Sequence, residues 1–330
     1  MRPTSPSQIL KQANAPAFLI TNLINIRYLT GLSVSAGVML IVPRKMILFV
    51  DSRYRDMADR VDDAVTVKDF SELPAIMNDV RRCGFESEDV TVFRHSSWAK
   101  KFPKTKFLPT TGILQSFRRQ KDDDELRNLR RAHRMTKELL RRVPSVLRKS
   151  VTEQQLARQL LQWALELGAD GLSFDPIVGF GTHTACPHHH PTSRMLQKGH
   201  LVQIDVGVKY RGYCADMSEV YFTVEPTKTE AEVYHALQVS QRNAMRAVRV
   251  GASTRELDRI ARSILKKAGI EQYFTHSLGH GVGLEIHEGV SLSQKAHEDK
   301  LLRNEVITIE PGVYFPGKFG MRVEDMVYVQ

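Results

Sequence analysis

The chain repeats itself around pairs of carboxylates. One stretch, LVQIDVGVKYRGYCADMSEVYF, carries Asp205 and Asp216, and a second, EVITIEPGVYFPGKFGMRVEDMVYV, carries Glu310 and Glu324. Asp205 to Glu310 is 105 residues and Asp216 to Glu324 is 108. Both stretches are rich in β-formers around a turn, so each reads as a hairpin whose two acids can point into one pocket. The near-constant offset predicts an internal duplication in which each half contributes two acids. Between the hairpins runs HSLGHGVGLEIHE, with His276, His280 and His287. Four carboxylates buried together without a cation would repel and desolvate at prohibitive cost. With one imidazole they make a hard, oxygen-rich donor set suited to two divalent ions.

The flanking helices follow the same repeat. Thr152 with Gln155 reads as a capping box ahead of LARQLLQWALELG, which stops at Gly168. Ser253 with Glu256 does the same ahead of LDRIARSILKKAG. Each follows a longer predicted helix, over 121–142 and about 229–249, the latter opened by Thr229 with Glu232. A pseudo-twofold arrangement would bring the two hairpins together with the helices on their outer faces.

Ahead of this region, AFLITN, GVMLIVP, MILFVD, VTVKDF and VTVFR read as short strands, with helical intervals such as RYRDMADRV between them. The fold class is therefore α/β, with a small N-terminal α/β domain over residues 1–117 and a second, duplicated domain over 118–330.

Three local readings bear on the site. The glycines at 279, 281 and 283 are expected to let the backbone pass close to a metal, with His280 among them a ligand. In PHHHP, His188 occupies a loop whose counterpart in the other half contains His287, so it is assigned a functional part. His189 and His190 are expected to be a solvated tract. Cys186 and Cys214 are read as packing residues, because a carboxylate majority disfavours thiolate ligation.

Bulk properties narrow the class. The apolar fraction is 42% and the charged fraction 25%, ordinary for a soluble globular protein. No run approaches the roughly 18 apolar residues of a membrane span, and the N-terminus shows no secretory signal pattern. Three cysteines (Cys83, Cys186 and Cys214) cannot all pair internally, which points to a reduced, cytoplasmic setting. The net charge of +10 raises nucleic acid as a partner. Much of that charge sits in RRQKDDDELRNLRRAHRMTKELLRR, interleaved with acids as on a solvated helix face, and no nucleic-acid motif accompanies it.

The motifs FDPIVGFGTHTACPH, LVQIDVGVKYRGYCADMS, HSLGHGVGLEIHE, ITIEPGVYFPG and GMRVED resemble those of the pita-bread metallopeptidases, in the Xaa-Pro aminopeptidase and Xaa-Pro dipeptidase (prolidase) branch. FLITNLINIRYLTGLSVSAGVMLIVPRKMILFVDSRY resembles the creatinase-type N-terminal domain of that branch. The resemblance implies that Asp205, Asp216, His280, Glu310 and Glu324 hold two divalent ions, Mn²⁺ or Co²⁺ ahead of Zn²⁺, with Asp216 and Glu324 bridging. It implies catalytic parts for His188, His276, His287 and Glu310, and supporting or pocket positions for Arg322 and Tyr314. The expected reaction is hydrolysis of Xaa-Pro bonds at peptide N-termini, with Glu310 taking a proton from water and passing it to the leaving proline nitrogen. A proline-containing peptide is the expected partner and a homodimer the expected assembly, with no nucleic acid and no membrane.

Departures from the branch pattern set the open questions. His200 replaces an acid ahead of the first hairpin, Glu219 replaces an arginine, and the chain ends soon after the last acid. Ser291 stands where prolidases place an arginine, the natural bidentate clamp for a dipeptide carboxylate. The reading therefore favours an Xaa-Pro aminopeptidase. A prolidase restricted to dipeptides, a methionine-type aminopeptidase, a creatine-type amidinohydrolase and a non-enzymatic binding module of this fold stay open as alternatives.

Overall fold

The computed structural model describes residues 5–54, 61, 64–147 and 150–330. The chain divides into two compact units, Met1–Arg118 and Arg119–Gln330. Among the described residues no helix is long and apolar enough to cross a membrane.

The first unit is built on a six-stranded mixed sheet, in the order Val65–Asp69, Lys45–Val50, Val38–Val42, Phe18–Ile20, Arg82–Glu86 and Lys106–Thr110. The three central strands run antiparallel and the outer ones join parallel. Strand Phe18–Ile20 is buried at every position, as a strand covered on both faces must be. VTVFR is not a strand. Thr91 accepts a hydrogen bond from Arg94 N–H and opens the helix Val92–Lys101. The β-branched run masks that capping signal, and the strands on either side, Arg82–Glu86 and Lys106–Thr110, carry weaker apolar patterns. The helical interval RYRDMADRV lies largely outside the described residues.

The second unit shows the duplication in its packing. One core joins the helices Asp123–Val146 and Glu153–Glu166 to the first hairpin, through Leu139, Leu156, Leu160, Ile204 and Val206. The other joins Lys228–Ala247 and Thr254–Lys267 to the second, through Leu237, Leu257, Leu265, Ile307 and Ile309. Each half thus buries its own helix pair against its own hairpin. Asp122 with Glu125 forms a capping box at the first long helix, and Thr152 with Gln155 does so at the next. The third helix is capped two residues earlier than expected, by Thr227 with Glu230. Both TxxE pairs satisfy the spacing rule, and the helix starts at the first, where Thr227 has the β-region backbone of an N-cap, with ψ 158°. Ser253 caps the fourth from Glu256 N–H, while its own hydroxyl donates to Glu298.

Candidate metal centre

Each hairpin keeps one register on both sides of a break; Asp216, Glu310 and Glu324 sit at the breaks, and Asp205 lies within the ladder just before the first, opposite Ser218. In the first, Leu201–Val206 pairs with Met217–Phe222, and beyond the break Val208–Tyr210 pairs with Tyr213–Cys214 in continuing register. Gly207 lies in the interruption, and a Cβ there would fall 1.7 Å from the Ala215 carbonyl oxygen, so only glycine allows Asp216 its place. In the second, Ile309 pairs with Asp325 and Gly312 with Arg322, which leaves Glu310 and Glu324 opposite each other in the gap. The hairpins are tied side by side. Glu324 N–H donates to the Ser218 carbonyl at 3.1 Å, and the Gln203 amide accepts from Arg322 N–H at 2.7 Å while donating to the Arg322 carbonyl at 3.2 Å.

Asp205, Asp216, His280, Glu310 and Glu324 therefore line one cavity of about 740 Å³. His188, His276, His287 and Arg322 line it too. Tyr314 stands behind the wall, its hydroxyl 3.2 Å from His276 Nε2 and bonded to Arg322 Nη1. Every residue given a metal, catalytic or supporting part from the sequence is thus at or against this one cavity.

The acids are arranged to hold cations. Asp205 Oδ1, Asp216 Oδ1 and Glu324 Oε1 are buried with no hydrogen-bond partner. Leaving a buried acceptor unpaired costs about 1–3 kcal/mol, more when it is charged, so three together call for a ligand. Donor atoms of Asp216, His280 and Glu324 lie within 4.8 Å of one another. His280 Nδ1 is 3.1 Å from the Gly281 carbonyl, which fixes the proton there and turns the Nε2 lone pair toward Asp216 Oδ2 at 3.5 Å and Glu310 Oε1 at 3.7 Å. The residues fit divalent cations.

Electrostatics point the same way. Burial, and then the neighbouring acids, hold the carboxyls of Asp216 and Glu324 well above the usual carboxylate range. Burial lifts Glu310 to about 7, against the opposing pull of His280 and Arg322. Burial and the Arg322 charge push His276 down to about 3, so it stays neutral. Its Nδ1 faces the Ser277 carbonyl at 2.8 Å, leaving Nε2 to accept from Tyr314. His287 is lowered by burial and by His280, whose ring centroid is 4.2 Å away.

Several supporting groups were not visible in the sequence. Ser218 takes a hydrogen bond from Arg322 Nε at 3.0 Å and donates to Glu324 Oε2 at 2.9 Å. Lys121 pairs with Glu288 at 2.9 Å, both buried, and so anchors the residue beside His287. The glycines at 279 and 281 serve a different purpose from the one expected. A Cβ at Gly279 would fall 2.0 Å from the Thr308 carbonyl oxygen, and one at Gly281 2.1 Å from that of Glu288. They admit neighbouring backbone rather than a metal. Two side chains also depart from expectation. His189 is not solvated but sits against buried Glu153 at 2.9 Å, and Cys186 is exposed rather than packed. His190 is exposed and Cys214 buried, as expected.

A fold of two hairpins and four helices with converging acids and an unprotonated imidazole nitrogen defines a metallohydrolase. The model of metallopeptidase family M24 matches residues 127–330, and that of the creatinase/prolidase N-terminal domain matches residues 6–120. The chain belongs to metallopeptidase family M24, a family of metal-dependent peptidases. It is 34% identical over 264 residues to an uncharacterized peptidase of Staphylococcus aureus (strain MRSA252), covering 80% of this chain and 74% of that one. Its structure matches an Xaa-Pro dipeptidase from Bacillus anthracis with a TM-score of 0.94 at 28% identity, over 98% of this chain and 94% of that one. It matches an X-Pro aminopeptidase from Thermotoga maritima MSB8 with a TM-score of 0.89 at 30% identity, over 98% and 95% respectively.

Proposed function

We propose that this peptidase holds two divalent ions, Mn²⁺ or Co²⁺, and removes the N-terminal residue from peptides with proline in second position. The observation that carries the two-ion reading is the set of unpaired buried oxygens on Asp205, Asp216 and Glu324, in a cavity where Asp216, His280 and Glu324 bring donor atoms within 4.8 Å of one another. Asp205, Asp216, His280, Glu310 and Glu324 would hold the ions, which would supply Lewis acidity and lower the pKa of a water.

The chain's own residues divide the rest of the chemistry. Glu310, on the cavity wall beside His280, takes a proton from that water and returns it to the leaving proline nitrogen. His287 and His188, both on the cavity wall, donate to the scissile carbonyl as negative charge develops on it. His276, neutral and held between Tyr314 and the Ser277 carbonyl, stands on the cavity wall beside Glu310, with Nδ1 3.8 Å from Oε2. Phe174, Ile177, Pro187, Ile286 and Val290 give the cavity an apolar wall for the pyrrolidine ring, which has no N–H to satisfy. The two solved structures named above are an Xaa-Pro dipeptidase and an X-Pro aminopeptidase, which supports the same substrate class.

A preference for Xaa-Pro-Yaa and longer peptides rests on the cations present. Of the lysines and arginines among the described residues, only Arg322 lines the cavity, and its guanidinium is committed to Asp205, Ser218 and Tyr314. Ser291, paired across the short ladder with His280, lines the cavity with a side chain too short and uncharged to clamp a dipeptide carboxylate. The test is hydrolysis of a panel of Xaa-Pro, Xaa-Pro-Yaa and Xaa-Ala-Yaa peptides with Mn²⁺ or Co²⁺ added. Cleavage confined to the second residue being proline, fastest on the tripeptides, is the expected result. Equal rates on Xaa-Ala-Yaa would overturn the proline assignment.

A further inference from the structure

Away from the acids, one buried carboxylate gathers the segment that carries His188. Glu153, the first residue of the helix Glu153–Glu166, is fully buried. Its Oε1 accepts from Phe180 N–H at 2.8 Å and faces His183 Nδ1 at 2.9 Å. Its Oε2 accepts from Thr192 N–H at 2.9 Å and the Thr192 hydroxyl at 2.6 Å, and faces His189 Nε2 at 2.9 Å. Two of these partners precede His188 in the chain and two follow it. On its other flank Arg322 Nη1 donates to the Pro187 carbonyl at 3.4 Å.

We infer that Glu153 and His189 are positioning residues for His188. The His189 ring is drawn back onto Glu153, and the Pro187 carbonyl is held by the arginine that also holds Asp205. With both neighbours fixed, the backbone of His188 has little freedom, and its side chain, though exposed, is held at the cavity wall. Glu153, His183 and His189 also place three donor atoms within 4.8 Å of one another, as a metal site would. Both Glu153 oxygens, however, already accept backbone N–H groups, and each imidazole fits as a further N–H donor. A cation there would displace bonds that already satisfy the buried charge.

The inference rests on the part given to His188 in the proposed function, and the experiment separates the two. The metal-loaded enzyme is assayed on an Xaa-Pro-Yaa-Zaa peptide as wild type, H189A, H188A and the double variant, with metal content and Tm measured for each. His189→Ala should lower kcat about tenfold with little change in KM and none in metal content. His189→Gln, which keeps an N–H near the Nε2 position, should recover most of that loss. In the His188→Ala background, His189→Ala should cost nothing further, because its effect passes through His188. Should His189→Ala fail to fold, Thr192→Val removes one bond to the same carboxylate and should show a smaller loss with the same dependence on His188. Equal losses in both backgrounds, a wild-type kcat in His189→Ala, or a cation that leaves with His189 would overturn the inference. A wild-type rate in His188→Ala itself would instead remove the part assigned to His188, and the positioning claim with it.

Discussion

Arg322 Nη2 lies 2.5 Å from Asp205 Oδ2, and the same guanidinium reaches Glu324 through the Ser218 hydroxyl. Arg322 thus occupies one oxygen of Asp205 directly and orients the Ser218 hydroxyl that occupies one of Glu324, leaving Asp205 Oδ1 and Glu324 Oε1 unpaired. Burial alone would lower the arginine's pKa, but Tyr314, Asp205, Glu310 and Glu324 together keep it charged. The ligands are aimed by their partners as much as by their own backbone. Arg322→Lys keeps the charge but loses the fork, and should weaken metal affinity by about 10- to 100-fold. Metal titration of the chelated variant, by calorimetry or chelator competition, checks this; wild-type affinity would contradict it.

Glu310 and His287 should separate on mutation. Glu310→Gln removes the proton acceptor and one ligand, so both kcat and metal content should fall, the former by several kcal/mol of barrier, on the order of 10³-fold. His287→Ala should lower kcat by about 10²–10³ while metal content stays at the wild-type level. Elemental analysis alongside initial rates distinguishes them. Wild-type turnover in His287→Ala would show its part to be misassigned.

The chelated protein should show an unusual dependence of stability on pH. Burial raises the carboxyl of Glu310 from 4.5 to about 7, with Asp216 and Glu324 shifted the same way. A carboxyl whose folded pKa is raised binds its proton more tightly in the folded state. Its contribution is present in full below the unfolded value and is lost as pH rises through the folded one. In the metal-free protein these carboxyls should therefore lose stabilisation as pH rises from about 4.5 to 7, while buried His276 and His287, whose pKa values are lowered, gain it over the same range. Comparison with Glu310→Gln isolates the carboxyl part: the Tm difference between chelated wild type and chelated variant should fall as pH rises between those values, and saturating Mn²⁺ should raise the wild-type Tm most at the neutral end. A difference that stays flat or grows with pH would contradict the burial of Glu310.

Substrate length should follow the missing clamp. Xaa-Pro-Yaa-Zaa is expected to give a higher kcat/KM than Xaa-Pro at matched metal, and Ser291→Arg should narrow or invert the ratio. A strong wild-type preference for the dipeptide would show that the carboxylate is recognised by another group.

The site was legible in the sequence because its chemistry is written in residue types at fixed offsets. The acids recur with the duplication, His280 and the histidines around it cluster in one glycine-rich stretch between them, and most helix caps follow from side chains within three residues of the helix start. What the sequence hid depends on distant partners. The bonds from Glu153 to His183 and His189, and from Lys121 to Glu288, span 30 or more residues, and no local pattern announces them. His189 looked solvated because a histidine tract carries no sign of the buried acid that claims its middle member. Thr229 with Glu232 and VTVFR misled for a local reason: two capping pairs overlapped at the first, and at the second a β-branched run coincided with a helix start.

The central claim, that these five residues hold two ions on which hydrolysis depends, is tested most directly by metal titration of exhaustively chelated protein. Bound metal per chain and the rate on an Xaa-Pro-Yaa-Zaa peptide are measured on the same samples. The expected result is no activity without metal and full activity at two ions per chain, with Asp216→Ala binding fewer and remaining inactive. Full activity after chelation, with no metal found by elemental analysis, would contradict it.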